Sequence, residues 1–306
     1  MRSLWLPLLL QISAFAASGQ IIGYVRDAIA QNDFARGERY VETYRTTNGI
    51  TPEMLEALSW LGRGALEAKQ YDMAEKYADQ TRKLALQQLV KRKLDDERRL
   101  PIALGASIEV HAQVLAAKGD RAEAVMFLSR ELGIYRNTSI ATRIQKNINL
   151  LTLEGKPAPL LDISAWLGAK PIPLTQLKGH PVLLFFWAHW CGDCKAELPE
   201  LVKLVDEYQS KGLVLIGPTQ HYGYAAAGED VTREQETHYI DDVRKRYYSP
   251  LQGMSVPLSE ENFTRFGAST TPTLILLDRQ GIVRLYHPGA MPVSELAMKL
   301  REILKD

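Results

Sequence analysis

Residues 181–195 read PVLLFFWAHWCGDCK and carry the strongest structural signal in the chain. The run from Pro181 to Trp187 is continuously apolar, which is typical of a central strand covered on both faces. Shortly after it come Cys191 and Cys194, separated by two residues at the predicted start of a helix. They are the 2 cysteines of the 306-residue chain, so a disulfide framework and a four-cysteine zinc site are excluded. The stretch therefore predicts a buried strand followed by a dithiol at a helix start.

Length and composition are those of an ordinary globular protein. With 306 residues, 46% hydrophobic and 24% charged, the chain is expected to form two domains, and neither disorder nor a collagen-like fibre fits. Lys and Arg together number 37 against 36 for Asp and Glu, which gives a net charge of +1. Such a balance creates no general attraction to nucleic acid or anionic membrane, so we expect no nucleic-acid partner.

Residues 1–19 have the pattern of a signal peptide. Arg2 supplies a positive end, Leu4–Ile12 is a mostly apolar stretch, and small residues follow up to Gly19. A membrane-spanning helix needs about 20 apolar residues, so this run is too short, and no other stretch is expected to approach that length. We expect cleavage after export and a periplasmic or secreted protein, with an uncleaved anchor as the alternative.

Residues 20–153 have a helical rhythm, because apolar and small residues recur at spacings of three and four. The segments that begin at Asn32, Lys69 and Lys118 look alike, and each resembles the helix–turn–helix junction of a tetratricopeptide repeat. The small residues that follow these turns are not spaced at the steady 34 residues of that repeat. We therefore predict an all-α domain of helical hairpins that binds a protein partner, with an irregular helical bundle as the alternative.

Residues 154–306 change to strands that alternate with helices, in the order β-α-β-α-β-β-α. This order predicts an α/β domain with a mixed sheet and helices on both faces. Pro199 lies inside the first helix and should kink it. The predicted elements are a strand at Pro181–Trp187, a helix at Cys191–Ser210, a strand at Leu213–Ile216, a helix at Thr232–Tyr248, a hairpin of Thr273–Leu277 with Ile282–Tyr286, and a helix at Val293–Leu304.

The chemistry is expected at the two cysteines, which can close a small ring. Cys191 lies where unpaired N–H groups and the helix dipole favour a thiolate, which makes it the expected nucleophile. Cys194, one turn deeper, would be the resolving thiol. Lys195 adds positive charge nearby, whereas Asp193 opposes a thiolate. Redox catalysis explains this pattern best.

Two other uses of the cysteine pair stay open. His189 and His221 could complete a copper site with the sulfurs, although we expect no metal. A purely structural disulfide is the second alternative, but so small a loop contributes little through chain entropy. Covalent haem attachment is excluded, because it requires a His directly after the second Cys and Lys195 occupies that position.

The segment Trp187–Lys195, followed by Pro199, resembles the active-site segment of thioredoxin-fold proteins. Three further motifs are similar to the TlpA/ResA-like branch of that fold, whose members are exported thiol–disulfide oxidoreductases. These motifs are GKPAP at 155–159, LTQLKG at 174–179 and CKAELP at 194–199. The resemblance covers about residues 155–306 and implies a thioredoxin-like fold for that half.

Several site residues follow from this resemblance. Cys191 and Cys194 match the redox-active disulfide, which would work without a separate cofactor. Trp190 matches the aromatic residue beside the dithiol, and Thr271 with Pro272 matches the cis-proline turn of the substrate groove. X-Pro bonds are where cis peptides occur, and a Pro at a strand start leaves the preceding chain able to pair with a substrate peptide.

The resemblance also suggests how protons move during the exchange. Glu197 matches a carboxylate that this branch keeps near the dithiol for proton transfer. Ordinary thioredoxins use a buried Asp on the central strand, and Phe185 occupies that position in this chain. His189 and His221 are expected as possible modulators, His189 at the rim of the site and His221 in a loop that lines a groove.

Taken as a whole, the resemblance implies an exported reductase of protein disulfides. It would receive electrons from a membrane thiol-transfer protein and serve cell-envelope redox homeostasis or cytochrome c maturation. One alternative is a partner- or copper-binding redox platform recruited through the helical domain. The other is a thiol peroxidase of the peroxiredoxin type, although Ala188-His189-Trp190 differs from the residues that peroxiredoxins place before their reactive Cys.

Overall fold

A computed structural model describes residues 19–305 of the chain. The predicted signal peptide therefore lies outside the described residues, except for Gly19 at its end. The chain divides into two compact units, the first ending at Val110 and the second beginning at His111. The domain boundary expected between residues 153 and 154 stays a prediction, and the compact unit that contains the cysteines begins well before it.

The first half of the described chain is helical, as predicted. Thr51 caps one helix by accepting the backbone N–H of Met54 over 3.2 Å, and Pro52 is the first residue of that helix. Asp33 caps another by accepting the backbone N–H of Arg36. The helices are α1 (Gln20–Ala30), α2 (Phe34–Asn48), α3 (Pro52–Glu67), α4 (Tyr71–Leu89), α5 (Arg99–Ala117), α6 (Arg121–Tyr135) and α7 (Ala141–Thr152).

The three predicted helix–turn–helix junctions are present, between α1 and α2, α3 and α4, and α5 and α6. Each contains one residue with positive φ, namely Asn32, Lys69 and Gly119. A left-handed residue ends a helix and reverses the chain within a short turn. The likeness to tetratricopeptide repeats beyond these turns stays a prediction.

The expectation that no further stretch is long and apolar enough to cross a membrane was wrong. By length and composition, α5 qualifies among the described helices, and 56% of its most apolar window is buried within the protein. A core helix meets the same criteria, because a helix that packs against protein on most sides is also apolar on most sides.

The second half forms the predicted mixed sheet. The strand order is β3-β2-β5-β6, with β2 parallel to β3 and antiparallel to β5. A separate two-stranded sheet pairs β1 with β4. The elements are β1 (Trp166–Leu167), β2 (Val182–Phe186), α8 (Gly192–Ala196), α9 (Leu198–Gln209), β3 (Val214–Ile216), α10 (Arg233–Val243), β4 (Val256–Pro257), α11 (Glu260–Phe266), β5 (Thr273–Leu277), β6 (Val283–Pro288) and α12 (Val293–Lys305).

Successive side chains of β2 point to opposite faces of the sheet, and all of them are buried, so both faces are covered. Phe185 is fully buried in a cluster with residues of α9, α10 and α12. Phe186 is fully buried on the other face, where its ring meets Phe263 and Phe266 of α11. The prediction of an α/β domain with helices on both faces is confirmed.

Two features of this half differ from the sequence-based expectation. The helix expected from Cys191 to Ser210 is divided at Glu197, and Pro199 lies in the first turn of its second part. Because Pro lacks an N–H, it fits a first turn and interrupts a longer helix, so the expected kink is present as a break. The sequence also did not predict α11 or the β1–β4 pair, because these elements are too short for a hydrophobic periodicity to be recognised.

Candidate active site

The dithiol lies where β2 leads into α8. After β2 ends at Phe186, the chain reaches Cys191, which is the N-cap residue of α8. The Cys191 Sγ accepts a hydrogen bond from the backbone N–H of Cys194 over 3.0 Å, and the two sulfurs are bonded as a disulfide. Because N–H groups at a helix start stabilise negative charge, this contact favours a thiolate on Cys191 once the disulfide is reduced.

The two cysteines are buried although they lie beside exposed residues. Cys194 has no exposed surface and Cys191 is 2% exposed. Gly192 and Asp193, which lie between them, are both exposed, and Trp190 keeps 49% of its surface exposed. The surface nearest the disulfide is therefore formed by this turn and the Trp190 ring, and the role of Trp190 in a substrate groove stays a prediction.

The cis-proline turn lies at the same end of the sheet as the dithiol. The Thr271–Pro272 peptide bond is cis, as the resemblance implies, and Pro272 is buried. Thr273, the next residue, pairs with Phe186 at the end of β2. This register brings Pro272 to the edge where the active-site loop begins, and the role of Thr271 and Pro272 in a substrate groove stays a prediction.

Glu197 occupies the break between α8 and α9. Its Oε1 accepts the backbone N–H of Met291 over 2.8 Å. Burial raises the pKa of Glu197 most, the negative charge of Asp193 raises it further, and the Met291 hydrogen bond and His287 oppose them. A carboxyl group with a raised pKa exchanges its proton closer to neutral pH, which suits the predicted proton carrier.

Lys195 does not extend its charge into solvent. Its Nζ donates a hydrogen bond to the backbone oxygen of His189 over 2.8 Å and lies 4.9 Å from the centre of the Tyr247 ring. The side chain therefore connects α8 to the loop before Cys191. Whether Lys195 and Asp193 tune the dithiol stays a prediction.

The expectation that His189 lies at the rim of the site was wrong, since His189 is 1% exposed. Its Nε2 is 3.4 Å from a carboxyl oxygen of the equally buried Glu236. Three rings lie nearly perpendicular to the imidazole, those of Tyr222, Tyr224 and Tyr239, with centroids 5.3–5.5 Å away. Burial lowers the pKa of His189 most, Glu236 opposes that shift, and Lys195 and His221 add to it.

His221 faces α10. Its Nε2 is 2.8 Å from the Oγ1 of Thr237, and burial is the main cause that lowers the pKa of His221. The copper alternative required both imidazoles beside the sulfurs, yet His189 is enclosed against Glu236 and His221 contacts Thr237. Neither contact favours a copper site.

Glu236 is the site residue that the sequence reading missed. It lies on α10, is 1% exposed, and accepts the backbone N–H groups of Tyr222 and Gly223. A signal was present in the sequence, because Glu236 shares the buried face of its helix with Ile240 and Val243. A charged residue at an apolar position of a helix indicates a buried partner.

Comparisons with known proteins agree with this geometry. The model of the AhpC/TSA family matches residues 155–286. The thioredoxin-like protein YneN of Bacillus subtilis is 29% identical over 147 residues, which are 48% of this chain and 78% of YneN. The thiol:disulfide interchange protein DsbE of Xylella fastidiosa is 32% identical over 157 residues, which are 50% of this chain and 71% of DsbE. The chain belongs to the thioredoxin-like thiol–disulfide oxidoreductases.

The expected resemblance to the ResA branch is confirmed as well. The thiol-disulfide oxidoreductase ResA of Bacillus anthracis is 29% identical over 153 residues, which are 49% of this chain and 78% of ResA. As a thiol–disulfide oxidoreductase the protein is an enzyme. The AhpC/TSA match begins at residue 155, so helices α1 to α7 all lie outside it.

Proposed function

We propose that this protein is an exported reductase of protein disulfides, whose own Cys191–Cys194 pair serves as the redox group without a separate cofactor. The observation that carries the proposal is the hydrogen bond from the Cys194 backbone N–H to the Cys191 sulfur. It favours a thiolate on Cys191, the form of a thiol that attacks a disulfide. Relatives named for thiol:disulfide interchange support the same chemistry.

The reaction starts from the reduced dithiol. The Cys191 thiolate attacks one sulfur of a substrate disulfide, so that a mixed disulfide forms and the other substrate sulfur leaves as a thiolate that takes up a proton. Cys194 then loses its proton and attacks the Cys191 sulfur. The Cys191–Cys194 bond forms, the first substrate sulfur leaves, and two electrons have passed from the enzyme to the substrate.

Glu197 is the group that we propose to take the proton of Cys194. It follows Cys194 by three residues, at the end of the same short helix. A thiol as buried as Cys194 gains little help from water in losing its proton, so a nearby base is required. The partly buried position of Glu197 and its raised pKa support this role.

Export and electron supply complete the proposal. The positive and apolar pattern of residues 1–19 supports a periplasmic or secreted location after cleavage. We propose that a membrane thiol-transfer protein reduces the Cys191–Cys194 disulfide after each cycle. Substrates would include protein disulfides of the cell envelope, with apocytochrome c among them.

The helical half is proposed to recruit a protein partner. Its paired helices α1 with α2 and α3 with α4 form the hairpins that support this role. Such hairpins present continuous helical surfaces to a partner.

Two cysteine variants test the function. With a disulfide substrate such as insulin and dithiothreitol as the electron source, the intact protein should accelerate reduction and Cys191→Ser should not. Reduced Cys194→Ser should accumulate a mixed disulfide with the substrate, visible by mass spectrometry, because nothing resolves it. Equal rates of insulin reduction by the intact protein and by Cys191→Ser would contradict the proposal.

The direction of the reaction is tested by the reduction potential of the Cys191–Cys194 pair. Equilibration with glutathione buffers should give a value near that of thioredoxin, about −270 mV. A value near about −120 mV would instead assign the protein to the oxidants.

A further inference from the structure

An aromatic corner adjoins the dithiol, formed by Trp190 and Tyr222. Their ring centroids are 5.4 Å apart and the planes are nearly perpendicular, at 77°. Trp190 directly precedes Cys191 and is half exposed, whereas Tyr222 is partly buried. This edge-to-face pair leaves part of the indole surface open to a molecule at the disulfide.

One buried carboxylate holds the backbone of the loop that carries Tyr222, while the Tyr222 ring also packs against His189 and Phe263. Glu236 of α10 accepts the backbone N–H of Tyr222 over 2.5 Å with one oxygen and the backbone N–H of Gly223 over 2.9 Å with the other. Both oxygens therefore hold the loop that follows β3. Hydrogen bonds to an ionised acceptor are about twice as strong as neutral ones, so this contact fixes the loop well.

Glu236 also reaches the loop that carries the dithiol. The same oxygen that accepts the Tyr222 N–H lies 3.4 Å from the Nε2 of His189. A charge with 1% exposure is costly to bury unless its oxygens have partners. Glu236 thus joins α10, the Tyr222 loop and the segment just before Cys191 in one buried contact.

We propose that Glu236 is a positioning residue that sets Tyr222 against Trp190, so that the two rings form a subsite for an aromatic or long aliphatic side chain beside the substrate's disulfide. This inference rests on the proposed function and adds the class of substrate that the site prefers. An apolar side chain on these rings loses its contact with water, and an aromatic one adds an edge-to-face contact.

The charges near the corner agree with an apolar occupant. Lys195 is directed to the His189 backbone oxygen and the Tyr247 ring, and Glu236 is enclosed by Tyr222, Gly223 and His189. Neither charge is presented to a side chain that lies on the Trp190 ring. With these two charges engaged, ring contact is expected to set the preference at this corner, and the exposed Asp193 between the cysteines offers no ion pair to an apolar side chain.

The test uses two chromogenic peptides that differ at one residue. Each contains one cysteine joined as a mixed disulfide to 5-thio-2-nitrobenzoate, with Trp beside the cysteine in one peptide and Ala in the other. Reduced full-length protein attacks the peptide disulfide and releases the coloured thiolate, so saturation kinetics give KM and the maximal rate. The intact protein should show a KM about three- to tenfold lower for the Trp peptide.

Four variants locate the origin of that preference. Tyr222→Ala removes the ring and should lose the KM ratio, whereas Tyr222→Phe keeps the ring and should retain it. Glu236→Gln lacks the second carboxylate oxygen and should lose the ratio by displacing the loop. Glu234→Gln, an exposed substitution on the same helix, is the matched control and should behave as the intact protein does.

The outcomes separate this inference from the proposed function. Reduction of both peptides with equal KM values by the intact protein, or a full ratio in Tyr222→Ala, would overturn the subsite while leaving the reductase in place. Failure of the intact protein to release any coloured thiolate would overturn the proposed function itself. A full ratio in Glu236→Gln would overturn the positioning role of Glu236. If that variant does not fold, Tyr222→Ala and Tyr222→Phe still decide whether the two rings form the subsite.

Discussion

The backbone N–H of Met291 donates a 2.8 Å hydrogen bond to the carboxylate of Glu197. Met291 belongs to the segment between β6 and α12, so this bond ties that segment to the break between α8 and α9. The carboxyl group is thereby held at the end of the short helix that carries Cys194. Because the donor is a backbone group, substitution of Glu197 is the direct way to examine the relationship.

The substitution Glu197→Gln should slow resolution of the mixed disulfide by about 100-fold. This value is the lower end of the range of rate effects that a general acid or base contributes. Glutamine keeps the size of the side chain and an oxygen for the Met291 N–H, but it cannot take a proton. Stopped-flow measurement of mixed-disulfide decay gives this rate. Glu200→Gln, at an exposed position of α9, is the control and should resolve at the normal rate.

The pH dependence of the same step should also change. Since the pKa of Glu197 is raised, its basic form is lost on acidification at a higher pH than for an ordinary Glu, whose pKa is about 4.3. Resolution by the intact protein should therefore decrease as the pH falls toward that raised value, and the variant should lack this decrease. Identical profiles would show that Glu197 carries no proton.

Burial of His189 predicts a loss of stability in mild acid. Because the folded state lowers the pKa of His189, the unfolded state binds more protons near the ordinary value of about 6.5. The contribution of this residue to stability is complete above that pH and is lost as the pH falls toward the lower folded-state pKa. Between pH 7.5 and 5, the Tm of the intact protein should therefore fall more than that of His189→Gln.

Circular dichroism at a series of pH values measures this difference. His238→Gln, at an exposed position of α10, should follow the intact protein throughout. Parallel Tm curves for the intact protein and His189→Gln would mean that burial does not perturb this imidazole.

The sheet was predictable because its strands carry their own signals. The apolar run that contains β2, the capping box of Thr232 with Gln235, and the turn between β5 and β6 each depend on residues close together in the chain. The capping box is present as predicted, with hydrogen bonds in both directions. By contrast, the two-residue strands β1 and β4 are defined by pairing between segments far apart in the chain, which no local pattern encodes.

The surroundings of His189 could not be predicted for a related reason. Its burial depends on Glu236 and on rings from the loop after β3 and from α10, all distant in sequence. A His between an apolar strand and a cysteine gives no sign of such partners. The Cys191–Cys194 pair and the cis peptide before Pro272 could be predicted from the sequence, because short local motifs carry the family resemblance that implies them.

Gly267 ends α11 with a left-handed conformation, at φ +63°, against the backbone of α7. A Cβ atom there would lie 2.5 Å from the Lys146 backbone N and 2.6 Å from its Cα, closer than such atoms approach. Gly267→Ala should therefore lower the free energy of unfolding by about 2–5 kcal/mol, the sum of the left-handed strain and the forced shift of packed backbone.

The matched control is Gly281→Ala, in the turn between β5 and β6. Gly281 is also left-handed, at φ +82°, but a Cβ atom there would have no neighbour within 4 Å. Only the strain of the left-handed conformation applies, at about 1–2 kcal/mol. Urea unfolding of both full-length variants should show the larger loss for Gly267→Ala. Equal losses would mean that α7 yields to the added methyl group, and that α7 and α11 are not packed as rigidly as their backbone contact requires.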